Sequence, residues 1–160
     1  MASPAQLFQR ARRFPLGDRI FSRLVTMQAP YFATIRPRFL RLEPGHCEVA
    51  MRNRRAVHNH IGTVNAIAMC ALCEVAAGTM MESSLPRGMR WIPRGMTVRY
   101  LKKADTDLVV TVTLPRSPAE GESADIEVPA RVRNTRGETV MEADIAMYVS
   151  PRHHESTATA

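Results

Sequence analysis

The hydrophobic pattern of the chain centres on one apolar stretch, residues 64–82, which follows a polar loop. The small side chains of this stretch would let other elements pack closely on every side, as is typical of a buried helix. Thr63 or Asn65 can cap its first turn. The pattern therefore predicts a long central helix around which the rest of the chain packs.

Segments with alternating apolar and polar residues lie on both sides of this helix and predict half-buried strands. Two strands joined by a turn at residues 43–46 precede the helix, and about four follow it, the last pair joined by a hairpin at residues 134–138. Residues 87–95, rich in Pro and Gly, predict an irregular approach to the first of these four. Only the helix is apolar enough to cover the sheet. The expected fold class is α+β, an antiparallel sheet wrapped around a long central helix, over residues 30–150.

The segments outside this domain are predicted from their own patterns. Residues 1–29 predict two short covering helices, because apolar residues recur at helical spacing well past Pro15. On the second helix the apolar positions are Leu16, Ile20, Phe21, Leu24 and Met27. An organellar transit peptide is the alternative, since this segment is rich in arginine and holds one carboxylate, Asp18. Residues 151–160 predict a disordered tail.

Composition narrows the class of protein. The chain has 160 residues, 45% of them apolar, which suits one domain with a proper core. A net charge of +7 indicates attraction to nucleic acid, acidic lipid or a phosphorylated small molecule. Three cysteines do not make a disulfide framework, so we expect a reducing, cytoplasmic setting. We expect no membrane span, because residues 51–64 are polar and Glu74 interrupts the apolar run.

Glu74 is the first candidate for chemistry. Burying an ionised carboxylate is costly, so its presence in an apolar helix requires a reason. The helix N-terminus supplies backbone N–H donors directed outward. Ala66 and Glu74 are separated by roughly 12 Å along one helix. They can act on one carbonyl only if Glu74 meets the amides of another copy, which predicts a two-fold dimer with antiparallel central helices.

The segment Asn65-Ala66-Ile67-Ala68-Met69-Cys70-Ala71-Leu72-Cys73-Glu74 resembles the H-G-G-x-x-x-A-L-x-E motif of the hotdog-fold acyl-CoA thioesterases, the group of the 4-hydroxybenzoyl-CoA and phenylacetyl-CoA enzymes. Val98 to Ala104 is similar to a strand and basic stretch of that family, and the likeness covers residues 30–150. Asn65 stands where His is common, and Ala66 and Ile67 replace glycines.

The resemblance implies a hotdog fold and hydrolysis of an acyl-CoA thioester. Glu74 would be the base or nucleophile, the amides near Ala66 and Ile67 the oxyanion donors, and Asn59 the upstream polar group, while Asn65 is interpreted mainly as a cap. A homodimer or a dimer of dimers and no cofactor are expected. Residues expected to contact the phosphates and other parts of coenzyme A are Arg90, Arg94, Tyr100, Lys102 and Lys103.

Other interpretations stay open. A hotdog module that binds acyl-CoA or acyl chains without catalysis would share these residues, and Glu74 could serve only as an ion-pair partner. Nucleic-acid binding would need exposed aromatic residues among the cations, and only Trp91 and Tyr100 are near. A metal site is not favoured: Cys70 and Cys73 lie in an apolar helix, and His58 and His60 need a third ligand.

Overall fold

The computed structural model describes residues 2–152 and contains three α-helices and one sheet of six strands. Most of the predicted disordered tail, residues 153–160, lies outside the described residues, whereas Pro151 belongs to the last strand. The elements are α1 (Pro4–Ala11), α2 (Gly17–Gln28), a 3-10 turn (Pro30–Thr34), β1 (Arg38–Glu43), β2 (His46–Met51), a second 3-10 turn (Arg55–Val57), α3 (Ala66–Ser84), β3 (Met89–Tyr100), β4 (Leu108–Thr113), β5 (Ala124–Asn134) and β6 (Thr139–Pro151).

The sheet is antiparallel throughout, with the strand order β1-β2-β4-β5-β6-β3. One face of it packs on α3, which touches all six strands. The buried positions of β4, β5 and β6 alternate along each strand, as the sequence pattern predicts. The predicted architecture, a sheet wrapped around one central helix, is confirmed.

Small side chains allow α3 to lie close to the sheet. At Gly78 an added Cβ would lie 2.7 Å from Cη2 of Trp91 on β3, so the glycine makes room for the indole ring. The indole Nε1 donates to Glu82 on the same helix at 3.0 Å. These contacts hold β3 beside α3 although β3 is an edge strand.

Two helices cover the opposite edge of the sheet. The rings of Phe8, Phe21 and Phe39 form an edge-to-face series from α1 through α2 to β1, and all three rings are buried. Ser22 Oγ accepts the backbone N–H of Phe39 at 3.0 Å, and Gln9 Nε2 donates to the carbonyl of Leu42. α1 and α2 are thus attached to the core of the domain through a few buried residues, chiefly Phe8 and Phe21.

Two sequence predictions differ from the structure. Of the apolar positions predicted on one face of α2, Phe21 is buried, whereas Leu16, Ile20, Leu24 and Met27 are exposed, because α2 meets β1 through a narrow strip. Residues 89–95 belong to β3. Pro93 is tolerated there because β3 is an edge strand whose register shifts between Pro93 and Gly95.

Among residues 2–152, α3 is the one helix that is long and apolar enough to cross a membrane, in spite of Glu74. Most of its side chains are buried against the sheet. Such burial is typical of the core helix of a globular domain.

Candidate functional site

The loop before α3 is organised by Asn59. Its Oδ1 accepts the backbone N–H groups of Ile61 and Thr63, each at 3.1 Å, and its Nδ2 donates to Thr63 Oγ1 at 2.9 Å. Gly62 sits within this loop at φ +77, a conformation that favours glycine. Asn59 therefore fixes the shape of the loop that leads into the helix.

The N-terminus of α3 presents backbone donors. Asn65 is the N-cap, with φ −62 and ψ 140, and its Oδ1 accepts the N–H of Ile67 at 2.8 Å. The N–H of Asn65 donates to the carbonyl of Val57. No acceptor for the N–H groups of Ala66 and Ala68 exists among residues 2–152. The structure thus leaves two donors open and occupies the one that sequence reasoning assigned to Ile67.

Glu74 lies on the outward face of α3 and is exposed, whereas its neighbours Cys73 and Val75 are buried. Its place in an apolar helix predicts a buried side chain, but in the single chain Glu74 is exposed, because no element among residues 2–152 covers this face. Ile67, two helical turns toward the N-terminus, is 61% exposed on the same face. The carboxylate and the open donors are thus both accessible from outside the protomer.

Tyr100 reaches this face of α3 from β3. Its hydroxyl lies 3.4 Å from Sγ of Cys70. The hydrogen bond with Cys70, together with partial burial, raises the pKa of Tyr100 to about 12. Burial also raises the pKa of the Cys47 and Cys73 thiols well above the usual range, which keeps them protonated as core residues.

A groove of about 200 Å³ opens beside the N-terminus of α3. Asn65 and Ile67 form one wall, and Tyr31 and Thr34 of the first 3-10 turn form part of the other. The remaining lining residues are mostly apolar: Ile35, Ala56, Val57, His58, Ala68 and Ala71. The groove can therefore accept an apolar or extended ligand next to the open N–H donors.

The predicted coenzyme A contacts are only partly brought to this region. Arg90 donates to Ser150 Oγ, and Arg94 pairs with Asp125 and lies over the ring of Tyr148, on the side of the sheet away from α3. Lys102 pairs with Glu138 at 2.6 Å. The backbone after Lys103 returns to the helix N-terminus, where the carbonyl of Ala104 accepts the N–H of Val64.

No group of three or more His, Cys, Asp or Glu side chains within residues 2–152 is arranged to hold a metal ion. The ring of His58 is bonded to Asn53 Oδ1 at 2.5 Å, and that of His46 to Glu48 at 3.1 Å. His60 lies exposed in the Asn59 loop.

Sequence reasoning missed two features of this region. Tyr100 was predicted to contact substrate, but its pairing with Cys70 was not, since the residues lie on different elements. Arg54, whose guanidinium donates to the carbonyl of Thr34 beside the groove, carried no motif. The Arg-rich run from Arg52 to Arg55 was the available signal.

The sheet, its central helix and the open helix N-terminus define a hotdog-fold domain, and the fold predicted by resemblance is confirmed. The sequence profile described as "Domain of unknown function (DUF4442)" matches residues 17–149, and the chain belongs to that family. Comparison with curated proteins gives no match.

Solved structures share this fold over nearly the whole chain. The crystal structure of the genomics target APC5556 is 42% identical, with a TM-score of 0.80, covering 93% of this chain and 99% of that one. A probable thioesterase from Pseudomonas aeruginosa is 22% identical, with a TM-score of 0.73 and coverage of 87% and 97%. A thioesterase family protein from Silicibacter pomeroyi is 18% identical, with a TM-score of 0.70 and coverage of 82% and 96%.

Proposed function

We propose that this protein is a thioesterase that hydrolyses an acyl-CoA thioester in a site shared by two copies of the chain. The observation that carries the proposal is the exposed Glu74 on the same helix whose N-terminus leaves the N–H groups of Ala66 and Ala68 open. A carboxylate and paired amide donors are the groups that acyl transfer to water requires.

The spacing along α3 supports a two-fold assembly. Ala66 and Glu74 are roughly 12 Å apart on one helix, too far for one carbonyl to meet both. An antiparallel pair of α3 helices would bring Glu74 of one protomer toward the donors of the other. β3 offers a means of assembly, because it is a long edge strand with an unpaired side and with Ile92 and Tyr100 exposed.

The chemistry follows from these groups. Glu74 takes a proton from a water molecule while the oxygen of that water bonds to the carbonyl carbon. The carbonyl oxygen becomes an oxyanion, which accepts hydrogen bonds from the backbone N–H groups of Ala66 and Ala68. The C–S bond then breaks, and the thiolate leaves and takes up the proton. Asn59 acts as a positioning residue here, because its side-chain bonds fix the loop that precedes the donors.

The similarity to a probable thioesterase from Pseudomonas aeruginosa and to a thioesterase family protein from Silicibacter pomeroyi supports hydrolysis of thioesters in general. The groove beside Asn65 and Ile67 supports an acyl or pantetheine group as the ligand. Lys102 and Lys103 remain proposed coenzyme A contacts at this end of the molecule.

A non-catalytic module that binds acyl-CoA is the second candidate. It is favoured by the hydrogen bond from Ile67 to Asn65, which occupies one of the three donors at the helix N-terminus. In this case the groove would bind the thioester, but the remaining N–H donors would not polarise its carbonyl enough for attack by water.

The proposal is tested by measuring the hydrolysis of short, long and aromatic acyl-CoAs, with the released thiol as the readout. Glu74→Gln should abolish turnover while binding of coenzyme A is retained, because the side chain is exposed and its loss leaves the core intact. Glu82→Gln, the same change of charge on the same helix, is the control and should retain turnover. Hydrolysis that is equal in Glu74→Gln and wild type would exclude Glu74 as the base, and no turnover on any thioester would favour the binding module.

A further inference from the structure

Arg54 has an incompletely satisfied guanidinium beside the groove. It lies in the segment between β2 and the second 3-10 turn, and one terminal nitrogen donates to the carbonyl of Thr34. Its Nε is buried and has no hydrogen-bond partner among residues 2–152. A buried donor without an acceptor costs free energy, so a ligand that gives this guanidinium further acceptors would be bound favourably.

A second cation lies close to Arg54. Burial and the nearby charge of Arg36 together lower the pKa of Arg54. Arg36 follows the first 3-10 turn in a left-handed conformation at φ 48, which is uncommon outside glycine and asparagine. Arg36 is two residues from Thr34, whose carbonyl accepts the hydrogen bond from Arg54, so the two segments bring these like charges into one region.

Among residues 2–152, neither of these cations has an acidic partner. The ion pairs within residues 2–152 include Arg38 with Asp18 and Arg94 with Asp125, but none that involves Arg36 or Arg54. Two guanidinium groups without a carboxylate form a good site for a phosphate, which can accept several hydrogen bonds from both.

The position of the pair relates it to the proposed reaction. Thr34, which is bonded to Arg54, lines the same groove as Asn65 at the N-terminus of α3. A ligand that follows this groove can therefore place an anionic group at the arginines and another group at the open N–H donors. An acyl-CoA has this character, since its nucleotide phosphates and its thioester lie at opposite ends of a pantetheine arm.

We propose that Arg36 and Arg54 bind the phosphate groups of the coenzyme A nucleotide, a role that the sequence analysis gave to the basic residues Arg90, Arg94, Lys102 and Lys103. The inference rests on the proposed thioesterase function for the identity of the ligand. Arg94 already has a carboxylate partner on the far side of the sheet, whereas Arg54 donates to the carbonyl of Thr34, a residue that lines the groove.

Two substrates with the same acyl group test the site: the coenzyme A ester and the N-acetylcysteamine thioester, which has no phosphate. Arg36→Asn suits the left-handed backbone, and Arg54→Gln keeps a donor for Thr34. Each should raise the KM for the coenzyme A ester about tenfold, and the loss should be confined to that substrate. Arg133→Gln, an exposed site on β5, controls for net charge and should leave both substrates unaffected.

Equal losses on both substrates, or no loss in either variant, would overturn the assignment. Calorimetric titration with coenzyme A and with phosphate-free pantetheine separates this result from a failure of the proposed hydrolysis. If the protein hydrolyses nothing, coenzyme A should still bind wild type about tenfold more tightly than Arg36→Asn, while pantetheine does not distinguish them. Coenzyme A binding that is absent in wild type or unchanged in Arg36→Asn would overturn the phosphate site.

Discussion

The side-chain oxygen of Asn65 lies 2.8 Å from the backbone nitrogen of Ile67 and accepts its hydrogen bond. Asn65→Ala should lower the free energy of unfolding by about 1 kcal/mol, because the first turn of α3 loses its cap. Asn65→Asp should keep most of that stability, but its charge beside the oxyanion should slow hydrolysis. Denaturant unfolding and turnover on one acyl-CoA measure both effects, and equal stability of Asn65→Ala and wild type would show that the cap contributes nothing.

Ala66 occupies the first position of α3, where proline is well accepted, and Asn65 before it has the extended conformation that proline favours. Ala66→Pro should remove one N–H donor and lower kcat by roughly 10²-fold, with the melting temperature unchanged or raised. Ala66→Gly keeps the donor and serves as the control. Full activity in a folded Ala66→Pro protein would exclude this amide from the oxyanion site.

A shared site can be tested by mixing two inactive proteins. In a dimer of one Glu74→Gln chain and one Ala66→Pro chain, one of the two sites has both native groups. Random mixing of equal amounts should therefore restore about a quarter of wild-type turnover. A mixture that stays inactive after confirmed subunit exchange would show that each site is built within one chain.

Gly78→Ala would normally stabilise a helix, but the new Cβ would approach the Trp91 ring to 2.7 Å. Since the indole is also bonded to Glu82, we expect a net loss of about 1 kcal/mol in the free energy of unfolding. Trp91→Phe should remove most of this penalty, which a double-mutant cycle measures. Additive effects of the two changes would show that the helix and β3 do not constrain each other here.

The raised pKa of Tyr100, about 12, predicts a pH dependence of stability. The protonated phenol is favoured in the folded state, so its contribution is complete below about pH 10 and is lost as the pH rises toward 12. Ultraviolet titration should show a tyrosine with this high pKa in wild type and none in Tyr100→Phe. Cys70→Ala should lower that pKa, and a value unchanged by Cys70→Ala would separate it from the thiol contact.

Much of the fold could be predicted from periodicity alone. The strands β5 and β6 are buried on one face, which leaves an alternating pattern in the sequence. The helix α3 is buried on most sides, which leaves a continuous apolar run. The start of β3 was missed because Pro93 and Gly95 break the local signal, and pairing with β6 supplies what local preference lacks. The exposed residues of α2 were misassigned because spacing identifies a face but not the element that covers it.

The site was less predictable because a local sequence pattern does not show which distant element lies against a given face. The sequence placed Asn65, Ala66 and Glu74 on one helix, but could not show that the face of Glu74 is uncovered within one chain. Because side chains alternate between the two faces of a strand, Arg90 and Arg94 of β3 lie on the side of the sheet away from α3. The proximity of Arg54 to Thr34 arises only in the tertiary structure. Contacts between distant segments decided which polar groups meet.

The packing of α1 and α2 on β1 also limits how the sheet can grow. Side chains of Ser22 and Gln9 satisfy backbone groups of β1 that would otherwise recruit another strand. Among residues 2–152 the β3 edge has no such cover, so the dimer proposed above would pair two molecules through that exposed edge. Pairing of two molecules there would leave no long uncovered sheet edge among the described residues, so the proposed dimer would be closed to further strand addition.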